Sequence, residues 1–382
     1  MSKIKNYLDL MVNGNHLPDP ANSKIAVAMS GGVDSSVAIY VLKELGYEVF
    51  GITAWLLSGS GKCCDNGVVD AVKVCDQLGV QHHAVDLRQA FADGIIKDFH
   101  ESYARGETPI PCISCNNDMK WGSLLQYSLE NLGASHLASG HYAKLSFDES
   151  TSNYDLHRPV EAKKDQSYML WGLNQDQLAK TIFPLADFTK EQIREIAELG
   201  DLCVAKKEES QDICFVSNGM TNSEYLTRIL GEKEGPIILA STGEELAKHT
   251  GSFNYTYGQR KGLKIAYKEP LYVTKIDSDA NIVYVGTKEE LLSQKAVGNR
   301  VNMTAKVSLD DKNSFEALTK IRYNSKPSLA RVYMDSVDSD YLEVEFIEPV
   351  EAVTPGQAMV FYDPVETAKV LGGAWIDGVS VL

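Results

Sequence analysis

Between positions 25 and about 145 the chain alternates two hydrophobic rhythms. Apolar runs of strand length stand at 25–29, 48–53, 82–87 and 136–139. Between them, apolar residues recur three and four apart, as on one helix face, near 34–45, 67–78, 88–104 and 118–132. Strand and helix in alternation predict an α/β fold with a doubly wound parallel sheet, whose ligands sit at the carboxyl ends of the strands. From about 218 the pattern breaks into short elements rich in Gly and Tyr, and from about 290 a period of two takes over. Ala330-Arg331-Val332-Tyr333 and Leu342-Glu343-Val344-Glu345-Phe346 flank a polar turn at 335–340, and 357–361 and 374–376 add further strands. That pattern predicts a small antiparallel barrel or sandwich. Ahead of the first strand, 1–24 reads as a polar leader outside the core, ending in Leu17-Pro18-Asp19-Pro20. The expected division is a leader 1–24, an α/β domain 25–217, a small central domain 218–289 and a C-terminal β-barrel 290–382.

Composition narrows the class. The 382 residues are 44% hydrophobic and 23% charged, ordinary for a soluble protein and enough for two or three domains. No stretch has the length of a membrane span, and the N-terminus, with Lys3, Lys5, Asp9 and Asn13, has neither a signal-peptide core nor the Arg-rich character of a transit peptide. A cytoplasmic location is therefore expected. Seven cysteines, at 63, 64, 75, 112, 115, 203 and 214, form an odd set, unlike a secreted disulfide framework. A net charge of −15 argues against indiscriminate nucleic-acid binding but leaves room for an RNA partner held by local basic patches.

The first candidate site follows the first strand. Ser30-Gly31-Gly32-Val33-Asp34-Ser35-Ser36 lies between the apolar run 25–29 and the helical pattern of Val37, Ala38, Val41, Leu42 and Leu45. Strand, glycine-serine turn and helix bring backbone N–H groups and a helix N-terminus onto an anion. Two glycines allow close backbone approach, and the hydroxyls of Ser30, Ser35 and Ser36 are further donors. Asp34 adds negative charge, which suits a Mg²⁺ between it and a polyphosphate. The bland alternative, a turn that merely caps a helix, explains a lone SGG better than it explains the whole run. A second glycine-lysine run at 59–63 lacks the upstream glycine and the Ser/Thr of a Walker A loop. SGGVDSS resembles the PP-loop of the ATP pyrophosphatase superfamily, which splits ATP to AMP and pyrophosphate to activate an oxygen by adenylation.

The second candidate constellation is two cysteine motifs far apart. Cys112-Ile113-Ser114-Cys115-Asn116-Asn117 precedes a helix that Asp118 could start, and Glu107-Thr-Pro-Ile-Pro111 stiffens its approach. A thiol at a helix N-terminus becomes more thiolate-like. Cys214 stands alone in Glu209-Ser-Gln-Asp-Ile-Cys-Phe215. For Cys75 and Cys203 simple burial is the expectation, and Cys63-Cys64 is left open. A CxxC serves as a redox pair, half a zinc site or part of an iron–sulfur site, and with no second CxxC a four-cysteine zinc site is disfavoured.

SGGVDSS, PCISCN, ASGHYA (138–143), KDQSY (164–168), ESQDICF (209–215), YGQRKGL (257–263) and TPGQAMVFYD (354–363) occur in the order found in tRNA-specific 2-thiouridylases, which place sulfur on C2 of the wobble uridine of certain tRNAs. The resemblance covers about 25–376. It implies a PP-loop catalytic domain, a small central domain and a tRNA-contacting barrel. It implies Cys115 as the nucleophile and Cys214 as the persulfide carrier. ATP would contact Ala28, Met29, Ser30, Gly31, Gly32, Val33, Asp34, Ser35, Ala54 and Gly140, with Mg²⁺ held through Asp34. Ile110, Pro111, Cys112, His141, Lys164, Asp165, Gln166, Arg322, Tyr323 and Gln357 match tRNA-contacting positions. Expected partners are tRNAs for Lys, Glu and Gln and a sulfur-donor protein of a cysteine desulfurase or relay system, with the enzyme a monomer.

One departure stands out. Many relatives carry Asp at the position of Cys112, so its role here is open. Cys112, Cys115 and Cys214 could together bind three irons of a [4Fe–4S] cluster, as related thiolases do, in place of a persulfide relay. Basic groups at 163–164, 206–207, 260–264 and 322–331 are small islands on an acidic background. Arg260-Lys261 beside Tyr255 and Tyr257 suits phosphate contact with base stacking, whereas Lys206-Lys207 reads as solvated surface.

Overall fold

The computed structural model describes residues 2–14, 16–58, 65–208, 213–216 and 219–379. Cys63, Cys64 and the whole glycine-lysine run at 59–63 therefore lie outside the described residues, as do 209–212 of the second cysteine motif.

Four strands build the sheet that carries the loop: β1 (Lys24–Ala28), β2 (Glu48–Trp55), β3 (His82–Asp86) and β4 (His136–Ser139). All pair in parallel, with a short edge strand Thr181–Ile182, in the order β3-β2-β1-β4-edge. Strand alternation sends Ile25 and Val27 into one core with Val37, Leu42 and Ile196. Ala26 faces the opposite core, with Phe50, Trp121 and Leu137. Both faces are covered, so the loop after β1 opens only at the carboxyl edge. The strand order reverses beside β1, and the crevice between the ends of β1 and β4 is where such sheets bind ligands.

The helix α2 (Val33–Glu44) leaves that loop directly. The helix α3 (Asp65–Leu78) joins β2 to β3, and two longer helical runs occupy 88–104 and 111–132. The second run corrects the expected start at Asp118. Pro111 takes the first helical position, where its missing N–H costs nothing, so Cys112 and Cys115 lie inside the helix. Residues Cys115–Leu124 continue in π-helical register.

The leader is also corrected. Residues Ser2–Gly14 form α1, and Met11 is fully buried against the α2 core with Ile4, Tyr7 and Leu8 packed beside it. The positions 4, 7, 8 and 11 share one helix face, a period hidden by the polar residues between them. Tyr7 donates to Glu195 Oε2 at 2.7 Å, and Tyr47 donates to Pro18 O at 2.6 Å, tying both ends of the segment down.

Downstream stands a four-stranded sheet in the order Tyr272–Asp277, Ile282–Gly286, Gly235–Leu239, Glu245–His249. The last region is a closed six-stranded antiparallel barrel of Leu292–Met303, Tyr341–Glu351, Ser328–Met334, Ser314–Lys320, Ala358–Tyr362 and Val370–Gly378, in that order. The hairpin expected around 335–340 is present, with Val332 opposite Val344. Among the described residues no helix is long and apolar enough to cross a membrane.

Candidate active site

The loop after β1 is held by β2. Met29 N–H donates to Ile52 O at 2.8 Å, and Thr53 Oγ1 donates to Met29 O at 2.9 Å. Gly31 has φ +70°, and a Cβ there would fall 2.3 Å from Gly67 O, so this turn admits only glycine. The serine hydroxyls are spent inside the turn. Ser35 Oγ and Ser36 Oγ both donate to Gly32 O, at 3.2 and 2.8 Å, and Ser35 Oγ accepts from Ser30 N–H. Gly32 caps α2 without a side chain, leaving the first-turn N–H groups of Val33, Asp34 and Ser35 as the anion donors. Gly140, just past β4, lies against them. A Cβ there would be 2.6 Å from Ser35 N and 2.7 Å from the Asp34 carbonyl carbon.

Asp34 is not a bare carboxylate. Its Oδ1 accepts from Lys190 Nζ at 2.6 Å and from Tyr142 OH at 2.9 Å. Lys190 opens the helix Lys190–Leu199, fixed by a Thr189/Gln192 capping box. Lys207, expected to be solvated surface, instead donates to Gly31 O at 2.8 Å and to Asp70 at 2.7 Å. Lys207 holds the Asp70 carboxyl below its ordinary value, with Lys73 adding to the effect. Two ammonium groups thus flank the loop. Only the fold reveals them, although the Thr189–Gln192 spacing announces the helix that delivers Lys190.

The thiols sit on a neighbouring wall. Cys115 and Cys214 pack onto one apolar cluster with Phe91, Phe99, Met119 and Phe215, and Ala54 at the end of β2 joins it. Phe99 and Phe215 meet edge to face at 5.0 Å, closing the cluster between the two motifs. Cys112 is exposed one turn before Cys115. Cys75 is buried as expected, and burial pushes its thiol up to about 11. Cys203 is exposed, correcting the expectation of burial, because the turn after Lys190–Leu199 carries it outside the core.

Several of the remaining candidates have internal partners. His141 Nδ1 is 2.8 Å from Ser139 Oγ and its Nε2 is 3.4 Å from Lys120 Nζ. Burial, then the Lys120 charge, push its pKa well below 6.5. An ammonium only donates, so Nε2 accepts and the ring proton sits on Nδ1. Lys120 also donates to Asn116 Oδ1 at 2.9 Å, and the buried Asn116 donates to Met169 O at 2.8 Å, fixing the thiol-bearing helix to the 167–169 turn. Gln166 Oε1 accepts from Tyr142 N–H, and Asp165 accepts from both Ser167 donors. Lys164 ends the short turn before them, and Tyr323 lies edge-on to Tyr168. Arg322 and Gln357 are bonded within the protein. Arg322 Nη2 donates to Tyr257 O, Ala352 O and Thr354 Oγ1, and Gln357 Nε2 donates to Thr108 O. Ile110 and Pro111 form the entry to the helix.

A glycine-serine loop on an uncapped helix, flanked by lysines, in a chain whose Cys115 and Cys214 share one apolar cluster, defines a PP-loop α/β protein with a cysteine site. Family profiles match in three consecutive pieces: a tRNA methyl transferase HUP domain at 23–218, a tRNA methyl transferase PRC-barrel domain at 223–287 and an aminomethyltransferase beta-barrel domain at 294–376. The tRNA-specific 2-thiouridylase MnmA of Nostoc punctiforme is 43% identical over 94% of this chain and 99% of its own length. That of a Synechococcus species is 42% identical over 90% of this chain and 92% of its own. The U34-tRNA thiolase NcsA from Methanococcus maripaludis, solved with its [4Fe-4S] cluster, is similar at a TM-score of 0.38 and 19% identity over 59% of this chain and 70% of that one. The chain belongs to the tRNA-specific 2-thiouridylase family.

Proposed function

We propose that this protein catalyses ATP-dependent 2-thiolation of the wobble uridine (U34) of tRNA. The observation that carries the reading is the pairing of an anion-ready α2 N-terminus with Cys115 and Cys214 on one adjoining cluster. Uracil O2 is a poor leaving group. Attack of O2 on the α-phosphorus of ATP expels pyrophosphate and turns O2 into part of AMP. A persulfide on Cys214 then supplies sulfur, its terminal sulfur displacing AMP at C2. The Cys115 thiolate attacks the Cys214 sulfur, releasing 2-thiouridine and leaving a Cys115–Cys214 disulfide that an external dithiol reduces. The persulfide comes from a sulfur-donor protein. Binding of tRNAs for Lys, Glu and Gln, cytoplasmic location and a monomeric state belong to the same reading, as does the division at 25–217, 218–289 and 290–382.

The metal expectations part ways. Mg²⁺ takes few protein ligands and several phosphate oxygens, and Asp34 beside the α2 N-terminus suits that role once phosphates share the Lys190 charge. Bound there, Mg²⁺ would supply countercharge to the phosphates. A cluster fits less well. Among the described residues no three His, Cys, Asp or Glu side chains converge as a metal site. Nucleoside mass spectrometry tests the reading directly. Cys115→Ser and Cys214→Ser should each abolish 2-thiouridine while tRNA-dependent pyrophosphate release persists. Full activity of both variants would instead favour an adenylating ligase with a different nucleophile.

A further inference from the structure

The segment leading into the thiol-bearing helix is gripped by the C-terminal barrel. Thr108 N–H donates to Pro355 O at 2.9 Å, and Gln357 Nε2 donates to Thr108 O at 2.6 Å, so the loop 354–357 takes both backbone groups of one residue. Gly356 between them has φ +84°, and a Cβ there would lie 3.0 Å from Glu107 Cβ and from Thr108 N. The two segments touch backbone to backbone. Behind this contact, Arg322 Nη2 donates to Ala352 O at 2.6 Å, to Thr354 Oγ1 at 2.7 Å and to Tyr257 O at 3.2 Å. Thr354 Oγ1 donates in turn to Ala352 O at 2.8 Å, and Thr354 is fully buried. The gripping loop is therefore rigid and anchored outside the catalytic sheet.

What it grips is stiff as well. Pro109 and Pro111 fix two of the torsions between Thr108 and Cys112 and restrict the residues before them. Pro111 is the first helical residue, with Cys112 and Cys115 following in the first turns. A shift at Thr108 has few soft torsions to absorb it before reaching the thiols.

We propose that Gln357 and Gly356, backed by Arg322, are positioning residues: they clamp Thr108 so that the barrel sets where Cys112 and Cys115 stand relative to the PP-loop. Gln357, at a position that the family resemblance assigns to tRNA contact, acts in this protein through Thr108. The proposal rests on the thiolation reading for its consequence, but the clamp itself is measurable without ATP, tRNA or turnover.

The experiment compares the full-length wild type with Gln357→Met, which keeps length and loses the donor, and Gln357→Lys, which keeps a donor. Iodoacetamide labelling of the tRNA-free protein is followed at Cys115 by tandem mass spectrometry, with buried Cys75 and exposed Cys203 as references in the same sample. Loss of one such bond should raise Cys115 labelling roughly threefold or more in Gln357→Met and lower kcat for thiolation about tenfold, with KM for tRNA within about twofold. Gln357→Lys should return both toward wild type. Gly356→Ala, which leaves Gln357 in place, should move labelling and kcat in the same direction. Unchanged Cys115 labelling with a raised KM for tRNA would make Gln357 a direct contact and overturn the clamp. A parallel rise at Cys75 would mean general loosening and overturn it too. If the wild type makes no 2-thiouridine, the thiolation reading fails while the labelling still decides the clamp.

Discussion

At the scale of single residues, the charge arithmetic around Asp34 changes how the PP-loop is understood. A carboxylate within reach of a polyphosphate would repel it, yet Asp34 shares its Oδ1 with the Lys190 ammonium and the Tyr142 hydroxyl. Removing Lys190 exposes the approaching phosphates to an uncompensated carboxylate and also removes a charge-assisted donor. Lys190→Met should therefore weaken binding of a non-hydrolysable ATP analogue by roughly ten- to a hundred-fold, read by titration calorimetry. Adding Asp34→Asn should recover part of that loss. Unchanged affinity in the single variant would remove Lys190 from the nucleotide site. The motif SGGVDSS was plain in the sequence, but its lysines were not. Lys190 lies 156 positions from Asp34 and Lys207 lies 176 from Gly31, and no local spacing connects them.

At the scale of elements, the site is built from close approaches that glycine makes possible. The turn after β4 lies on the first turn of α2, with no room for a Cβ at Gly140 and backbone on the opposing side. Backbone cannot swing aside as a side chain can. Gly140→Ala should cost about 1–3 kcal/mol of stability by overpacking and lower ATP affinity with it, measured by urea denaturation and calorimetry. Gly94→Ala is the comparison, because a Cβ at Gly94 meets nothing within 4 Å and replaces glycine within a helical run. A small or absent effect at 140, equal to that at 94, would show that the two elements can part without harm. Element types were largely legible: the strands and helices of the sheet and the hairpin around 335–340 follow from their periods. The thiol-bearing helix begins earlier than its local spacing predicts. Asp118 looked like a cap, yet Pro111 begins the helix and places both thiols inside it.

At the scale of the whole molecule, burial pushes most of the histidines toward the neutral form. His82, His100, His136, His141, His157 and His249, six of the eight, are all pushed below the ordinary imidazole value, with burial the leading cause in each. For His136 the folded value is about 4 against 6.5. Between those two values the unfolded chain binds a proton that the folded chain refuses, so stability falls as pH falls through that window. Carboxylates with lowered values, such as Asp70, contribute stability that is lost only at lower pH. Calorimetry at fixed ionic strength should show Tm dropping steadily as pH is lowered from 6.5 toward 4. A Tm that holds constant down to pH 5 would contradict the neutral, buried state of these rings.

What is local can be read directly from the order of residues. Strand and helix periods, the glycine-serine turn, the stiffened Pro109–Pro111 approach and the identity of Cys115 and Cys214 as chemical candidates all rest on residues a few positions apart. Tertiary structure decided every relation between distant parts: α1 docked on the α2 core through Met11, Lys190 on Asp34, the two thiols on one cluster, and Gln357 on Thr108 across 249 positions. The physical reason is the range of the forces. Backbone sterics and helix or strand periodicity act within about one turn and leave their mark on neighbouring letters. Contacts between distant segments form only when hydrophobic burial brings whole elements together, and they leave no mark on sequence spacing.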